Sequence, residues 1–261
     1  MTHSDQKHLR ISSKLFSWDK FLKNLSNNLL GIVNITSDSF SGDGLLNKVD
    51  TIPKVFESAS KRDIKFLDIG CMSTKPNFTM IETEQEVSRL NTFVQSKNDT
   101  FHYSIDSFNP IVAEEALKNN FIVVNDVSGS RNENMMDIIK KYSSGLIICH
   151  RSHKSSFLHE KIEYKDVVKE VKEDLKRQVD YVLSKGIRKE QIAIDPGLGF
   201  GKTQEQSAKL LDSIDQFVGG YPLVVGYSKK KFTKLLKASD QELFTYCEKQ
   251  GVSLIRTHFI D

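Results

Sequence analysis

Four polar residues, Asn34, Asp106, Asn125 and Asp195, each end a short apolar run in this chain. Three basic residues, Lys230, Arg256 and His258, follow later runs of the same kind. Amides and carboxylates at the mouth of an apolar barrel read a flat heterocycle by its hydrogen-bonding edge. A group such as Lys230, Arg256 and His258 suits an anion, a diphosphate for example. Together the two sets point to a heterocycle that carries a phosphorylated leaving group.

Such residues need elements to bring them to one place. The most informative stretch is Gln191–Thr203, where a partly β-branched run ends in Asp195, Pro196 stops it, and Gly197, Gly199 and Gly201 follow. That is a buried strand with a carboxylate at its C-terminal end, then a loop whose backbone passes close to a ligand. Leu29–Asn34, Lys65–Gly70, His102–Asp106 and Phe121–Asp126 repeat the pattern, each followed by a helix-like stretch. Polar residues at successive strand ends describe the active face of a (β/α)8 TIM barrel, an α/β fold. Further strands are expected at Leu146–His150, Tyr221–Gly226 and Val252–Arg256, and helices near Ile52–Lys61, Ile81–Gln95, Glu133–Tyr142, Tyr164–Lys185 and Gln204–Phe217. No helix is expected after the last strand. Residues 29–261 read as one barrel, and residues 1–28 as an N-terminal extension. Its Phe16, Trp18, Phe21, Leu22 and Leu25 recur at near-helical spacing. This helix is expected to cover the groove between the last strand and the first, or else to plug the barrel floor.

Composition excludes several classes. The 261 residues are 38% hydrophobic and 27% charged, ample for one full barrel core. A net charge of +3 is too small to argue for nucleic acid or a membrane surface, and mildly favours an anionic substrate. Cys71, Cys149 and Cys247 are far apart and form no CxxC pair, which fits a reducing compartment and argues against a zinc site. Met1–Arg10 lacks the apolar core of a secretory signal, and no apolar run approaches the ~20 residues of a membrane helix. A cytoplasmic protein is expected.

Seven ordered motifs carry a resemblance. They are Gly31–Ser41 (GIVNITSDSFS), Asp68–Pro76 (DIGCMSTKP), Ser104–Ser107, Ile122–Gly129, Ile194–Lys202 (IDPGLGFGK), Val225–Lys230 and Ile255–His258. In this order and spacing they resemble dihydropteroate synthase from about Leu29 to His258, and seven matches together are strongly specific. The resemblance implies a reaction between 6-hydroxymethyl-7,8-dihydropterin diphosphate and 4-aminobenzoate, giving 7,8-dihydropteroate and diphosphate in folate biosynthesis. It implies that Asp106, Asn125, Asp195 and Lys230 hold the pterin and that Arg256 and His258 hold the diphosphate. Lys230, Arg256 and His258 would be the catalytic set. Asn34 would bind Mg2+ on the diphosphate, and Thr74 with Lys75 would close over the aminobenzoate side. It also implies a homodimer.

The chain departs from the family's pattern at named places. Cys71-Met72 stand where the family has Gly-Glu, and Lys75 where it has arginine, which loses the planar fork. Thr36-Ser37-Asp38 lacks the usual proline. Lys231 replaces a serine, Cys149-His150-Arg151 replaces Met-His-Met, and Phe259 replaces the aspartate after the last histidine. Two rivals follow: a pterin-binding relative with a changed acceptor, such as a folate-linked methyltransferase module, and a non-catalytic barrel subunit. Taken singly, the residues also have blander roles. Asp106 and Asn125 alone are turn or cap residues, Lys229–Lys231 a solvated face, and His150 a buried hydrogen-bonded residue.

Overall fold

The computed structural model describes residues 15–36, 52–72, 80–155 and 160–259. Eight parallel strands form one sheet: β1 Leu29–Asn34, β2 Phe66–Gly70, β3 His102–Asp106, β4 Val123–Asp126, β5 Gly145–Cys149, β6 Ile192–Asp195, β7 Val224–Val225 and β8 Leu254–Thr257. Their order is β6-β5-β4-β3-β2-β1-β8-β7. A parallel bridge between Ile194 and Leu223 closes the ring, and the Ile194 N–H donates to the Pro222 carbonyl at 2.9 Å. The helices are α1 Trp18–Leu22, α2 Ile52–Lys61, α3 Thr83–Val94, α4 Pro110–Lys118, α5 Glu133–Tyr142, α6 Val167–Ser184, α7 Gln204–Asp212, α8 Thr233–Leu236 and α9 Asp240–Lys249. This is the expected (β/α)8 barrel, and among the described residues no helix follows β8.

Side chains alternate between the faces of each strand. Leu67, Ile69, Ile105, Val124 and Ile148 point outward and pack with the helices into the larger core. Leu30, Phe66, Val123, Ile147, Ala193, Val224 and Leu254 point inward and close the N-terminal end of the barrel. Continuing with the same parity, inward positions nearer the C-terminal ends include the polar Asp68, Ser104, Asp106, Asn125, Asp195 and Arg256. The floor is therefore apolar and the mouth charged. Helix starts follow local chemistry. Asn109 accepts from the Ile111 N–H ahead of α4, with Pro110 in the first turn, and Thr203 with Gln206 forms a reciprocal cap on α7.

Segment 16–22 plugs the floor and does not cover the groove between β8 and β1. Trp18 is 1% exposed, sits among the inward floor residues, and donates its indole N–H to the Gln191 carbonyl at 2.9 Å. The Phe16 N–H donates to the Ser143 carbonyl at 3.0 Å, below β5. The hole at the base of a barrel fits one large ring with a satisfiable N–H, which gives Trp18 its place. Phe259 lies on the outer face of β1, so that a Cβ at Gly31 would fall 2.6 Å from its ring and 2.9 Å from Leu67 Cδ2. A Gly31→Ala variant is expected to lose about 1–3 kcal/mol by overpacking, read as a lower urea midpoint.

Candidate active site

The C-terminal ends of β1–β6 and β8 surround a polar mouth whose hub is Asp68, which is 0% exposed. Its Oδ1 accepts from Ser104 Oγ at 2.5 Å. Its Oδ2 accepts from Asn125 Nδ2 at 2.9 Å and from Arg256 Nε at 2.6 Å. Arg256 donates through Nη2 to Asp106 Oδ2, also at 2.6 Å. Strand register explains the meeting: Gly70, Asp106 and Asn125 are successive partners across β2, β3 and β4, and Arg256 pairs with Leu30 on β1. Two buried carboxylates thus share one guanidinium and hold its plane in the barrel mouth.

The other side of the mouth is built by β6 and the loops after β6 and β7. Asp195 Oδ1 accepts from the Gly197 N–H at 2.7 Å. Lys230 Nζ donates to the Leu198 carbonyl at 2.6 Å and lies 5.2 Å from the centre of the Phe200 ring. Burial pushes the Asp195 carboxyl up and the Lys230 ammonium down, and each group's charge opposes the shift of the other. His258 sits at the end of β8, with Nδ1 3.2 Å from Ser228 Oγ. Asn34 ends β1, and a Cβ at Gly70 would fall 3.2 Å from its Oδ1. Seven of the residues singled out in the sequence therefore share one end of the barrel. Thr74 and Lys75 lie outside the described residues.

Sequence reasoning missed Asp68 and Ser104 as site residues. The available signal was parity: Asp68 stands two positions before Gly70 and is a charge inside an apolar strand, on the face that also carries the strand-end group. His150 is buried and hydrogen-bonded, as its position at a strand end suggests.

Burial pushes the Asp106 carboxyl up to about 7, against the pull of Arg256 and with the push of Asp68. Asp106 Oδ1 is buried and has no hydrogen-bond partner among the described residues. Below that pKa the group carries a proton and loses acceptor capacity. The rate constant kcat/KM for a ligand that donates to it is expected to fall about tenfold per pH unit below ~7, and Asp106→Asn is expected to abolish that limb.

Residues 30–258 match the pterin binding enzyme family. A dihydropteroate synthase of Synechocystis sp. is 30% identical over 237 residues, 89% of this chain and 80% of that protein. The chain belongs to the dihydropteroate synthase family. Solved dihydropteroate synthases share its fold. The enzyme from Thermus thermophilus, solved in complex with 4-aminobenzoate, gives a TM-score of 0.75 at 29% identity over 90% of each chain. The enzyme from Anaplasma phagocytophilum, solved with bound 6-hydroxymethylpterin-monophosphate, gives 0.75 at 27% identity, over 89% of this chain and 93% of that one. Membership of the dihydropteroate synthase family carries the family's reaction, the coupling of a dihydropterin methyl diphosphate to 4-aminobenzoate with loss of diphosphate. No helix among the described residues is long and apolar enough to cross a membrane.

Proposed function

We propose that this chain makes 7,8-dihydropteroate by holding the dihydropterin ring with Asp106, Asn125, Asp195 and Lys230 and the departing diphosphate with Arg256 and His258. The observation that supports this most is the buried, unpartnered Asp106 Oδ1 beside the Arg256 guanidinium. An acceptor in that state costs free energy until a donor arrives, and a ring N–H is such a donor. Asp195 offers a second acceptor and Lys230 a donor across the mouth.

As the carbon–oxygen bond to the diphosphate breaks, positive charge spreads over the pterin ring. The electron pair leaves with the diphosphate, beside the fixed cation of Arg256. The amine of 4-aminobenzoate then forms the new carbon–nitrogen bond and gives up a proton to solvent or diphosphate. The side chains mainly position the two reactants and stabilise charge. By resemblance, Thr74 and Lys75 would close the aminobenzoate side.

Asn34 would hold Mg2+ on the diphosphate. Magnesium keeps several waters and phosphate oxygens and takes one or two protein ligands. The donor set fits: Asn34 brings an amide oxygen to the mouth, and Gly70 leaves space beside it. Bound there, the ion would neutralise charge on the leaving group. A cytoplasmic location fits the three buried free cysteines.

The test is a coupling assay that follows diphosphate release and dihydropteroate formation together. Both products are expected in step. Chelating Mg2+ is expected to slow them at least about tenfold, and Asn34→Ala to raise the Mg2+ needed for half-maximal rate about tenfold. Dihydropterin binding without product would favour the rival with a changed acceptor.

A further inference from the structure

The loop after β6 contacts two of the groups assigned to the pterin, Asp195 at the end of β6 and Lys230 in the loop after β7, yet its own backbone is glycine-rich. Gly197, Gly199 and Gly201 have φ of 66°, 82° and 61°. Such a loop loses much freedom on ordering and needs fixed partners. Buried Lys202 supplies them. Its Nζ donates to the Gly197 carbonyl at 2.9 Å, to the Phe200 carbonyl at 3.0 Å and to His150 Nδ1 at 2.9 Å. Three acceptors match the three N–H bonds of an ammonium, whereas a neutral amine has two.

The chain of partners continues outward. With Nδ1 accepting, His150 carries its proton on Nε2 and donates to Asp174 Oδ2 at 3.3 Å. Asp174 Oδ1 is held by His153 Nδ1 at 2.6 Å and by Arg177 Nη2 at 2.5 Å. Inward, the same loop gives the Gly197 N–H to Asp195 and the Leu198 carbonyl to Lys230, and sets the Phe200 ring near the Lys230 ammonium.

We propose that Lys202 is a positioning residue for the pterin site, whose ammonium locks the Gly197–Gly201 loop and thereby aims Asp195 and Lys230. The inference rests on those two residues binding the dihydropterin. The lock depends on charge, because deprotonation removes one of three anchors. Burial pushes Lys202 down to about 8, with Cys149, Asp195 and Asp174 pulling it up and Lys230 pushing it further down. The facing His150 is held neutral by burial and by Lys202 itself, down to about 3. The lock therefore opens on the alkaline side of neutrality.

The test measures kcat/KM for dihydropterin methyl diphosphate across pH in the wild type, Lys202→Arg, His150→Leu and Lys202→Met. Calorimetric dihydropterin affinity and a thermal melt accompany each. The wild-type value is expected to fall above pH ~8. Lys202→Arg stays charged and is expected to move this limb up by about one unit or more. His150→Leu removes an acceptor from a buried ammonium and is expected to move the limb down. Lys202→Met is expected to raise KM for the dihydropterin about tenfold while KM for 4-aminobenzoate changes less than about twofold.

A limb that stays in place in both Lys202→Arg and His150→Leu belongs to Lys230 and overturns the proposal, as does a wild-type pterin KM in Lys202→Met. If Lys202→Met does not fold, the two limb shifts decide. If the wild type binds without turning over, the same comparisons are read as affinities. A wild type that binds no dihydropterin overturns the parent reading and this one together.

Discussion

Asp68→Ala is expected to lower the unfolding free energy by about 3–5 kcal/mol in urea titrations, and to weaken dihydropterin binding in whatever protein remains folded. Asp68 is fully buried and accepts from Ser104, Asn125 and Arg256 at once. Without it, the guanidinium keeps Asp106 as its ion-pair partner but loses the bond at Nε. Removing one member of a buried charge network leaves the others desolvated and uncompensated, and that accounts for most of the loss. Asp68→Asn keeps the shape but brings N–H groups to face other donors, so rescue should be partial at best. The site suffers because Asn125 and Arg256 are both oriented by this carboxylate. An unchanged urea midpoint for Asp68→Ala would sink the claim that it is the hub.

Lys230→Ala is expected to reduce kcat/KM for the dihydropterin substrate by about 10³ or more, roughly 4 kcal/mol of transition-state stabilisation, measured by initial rates in the coupling assay. The ammonium lies on the same side of the mouth as the buried carboxylate of Asp195 and feels its charge, in a place where burial already disfavours a cation. A cation kept there at such a cost is poised for a ligand's polar edge and developing charge. The fold loses the hydrogen bond to the Leu198 carbonyl, worth about 1 kcal/mol, the contact with the Phe200 ring and a nearby cation for Asp195, so the thermal midpoint should fall, but by much less than the rate. A variant that keeps a tenth of wild-type kcat/KM would remove Lys230 from the catalytic set.

Strands were readable where an apolar run ended in a polar residue, because that is how parity looks in one dimension. β7 was less readable. Tyr221–Gly226 scans as a strand, but Pro222 has no N–H to give, and Val224–Val225 alone form the ladder with β8. The stretch Gln204–Phe217 scans as one helix, yet it breaks at Ser213 into α7 and a short 3₁₀ turn, Ile214–Phe217. The seven groups at the mouth were legible because each stands at a chain position with its own local signature. Asp68 was not, because its role depends on Arg256, 188 residues away, reached through the ring of strands. Lys202 looked like part of a glycine motif for the same reason: its partner His150 lies 52 residues upstream.

The chain contains one tryptophan, Trp18, and it sits at the end of the barrel opposite the mouth. Its indole is buried and its N–H is bonded to the Gln191 carbonyl. The wavelength of intrinsic emission excited at the indole band therefore reports on the polarity of the floor. A red shift marks the moment segment 16–22 leaves its hole and water reaches the ring. The protein thus carries its own spectroscopic reporter of barrel integrity.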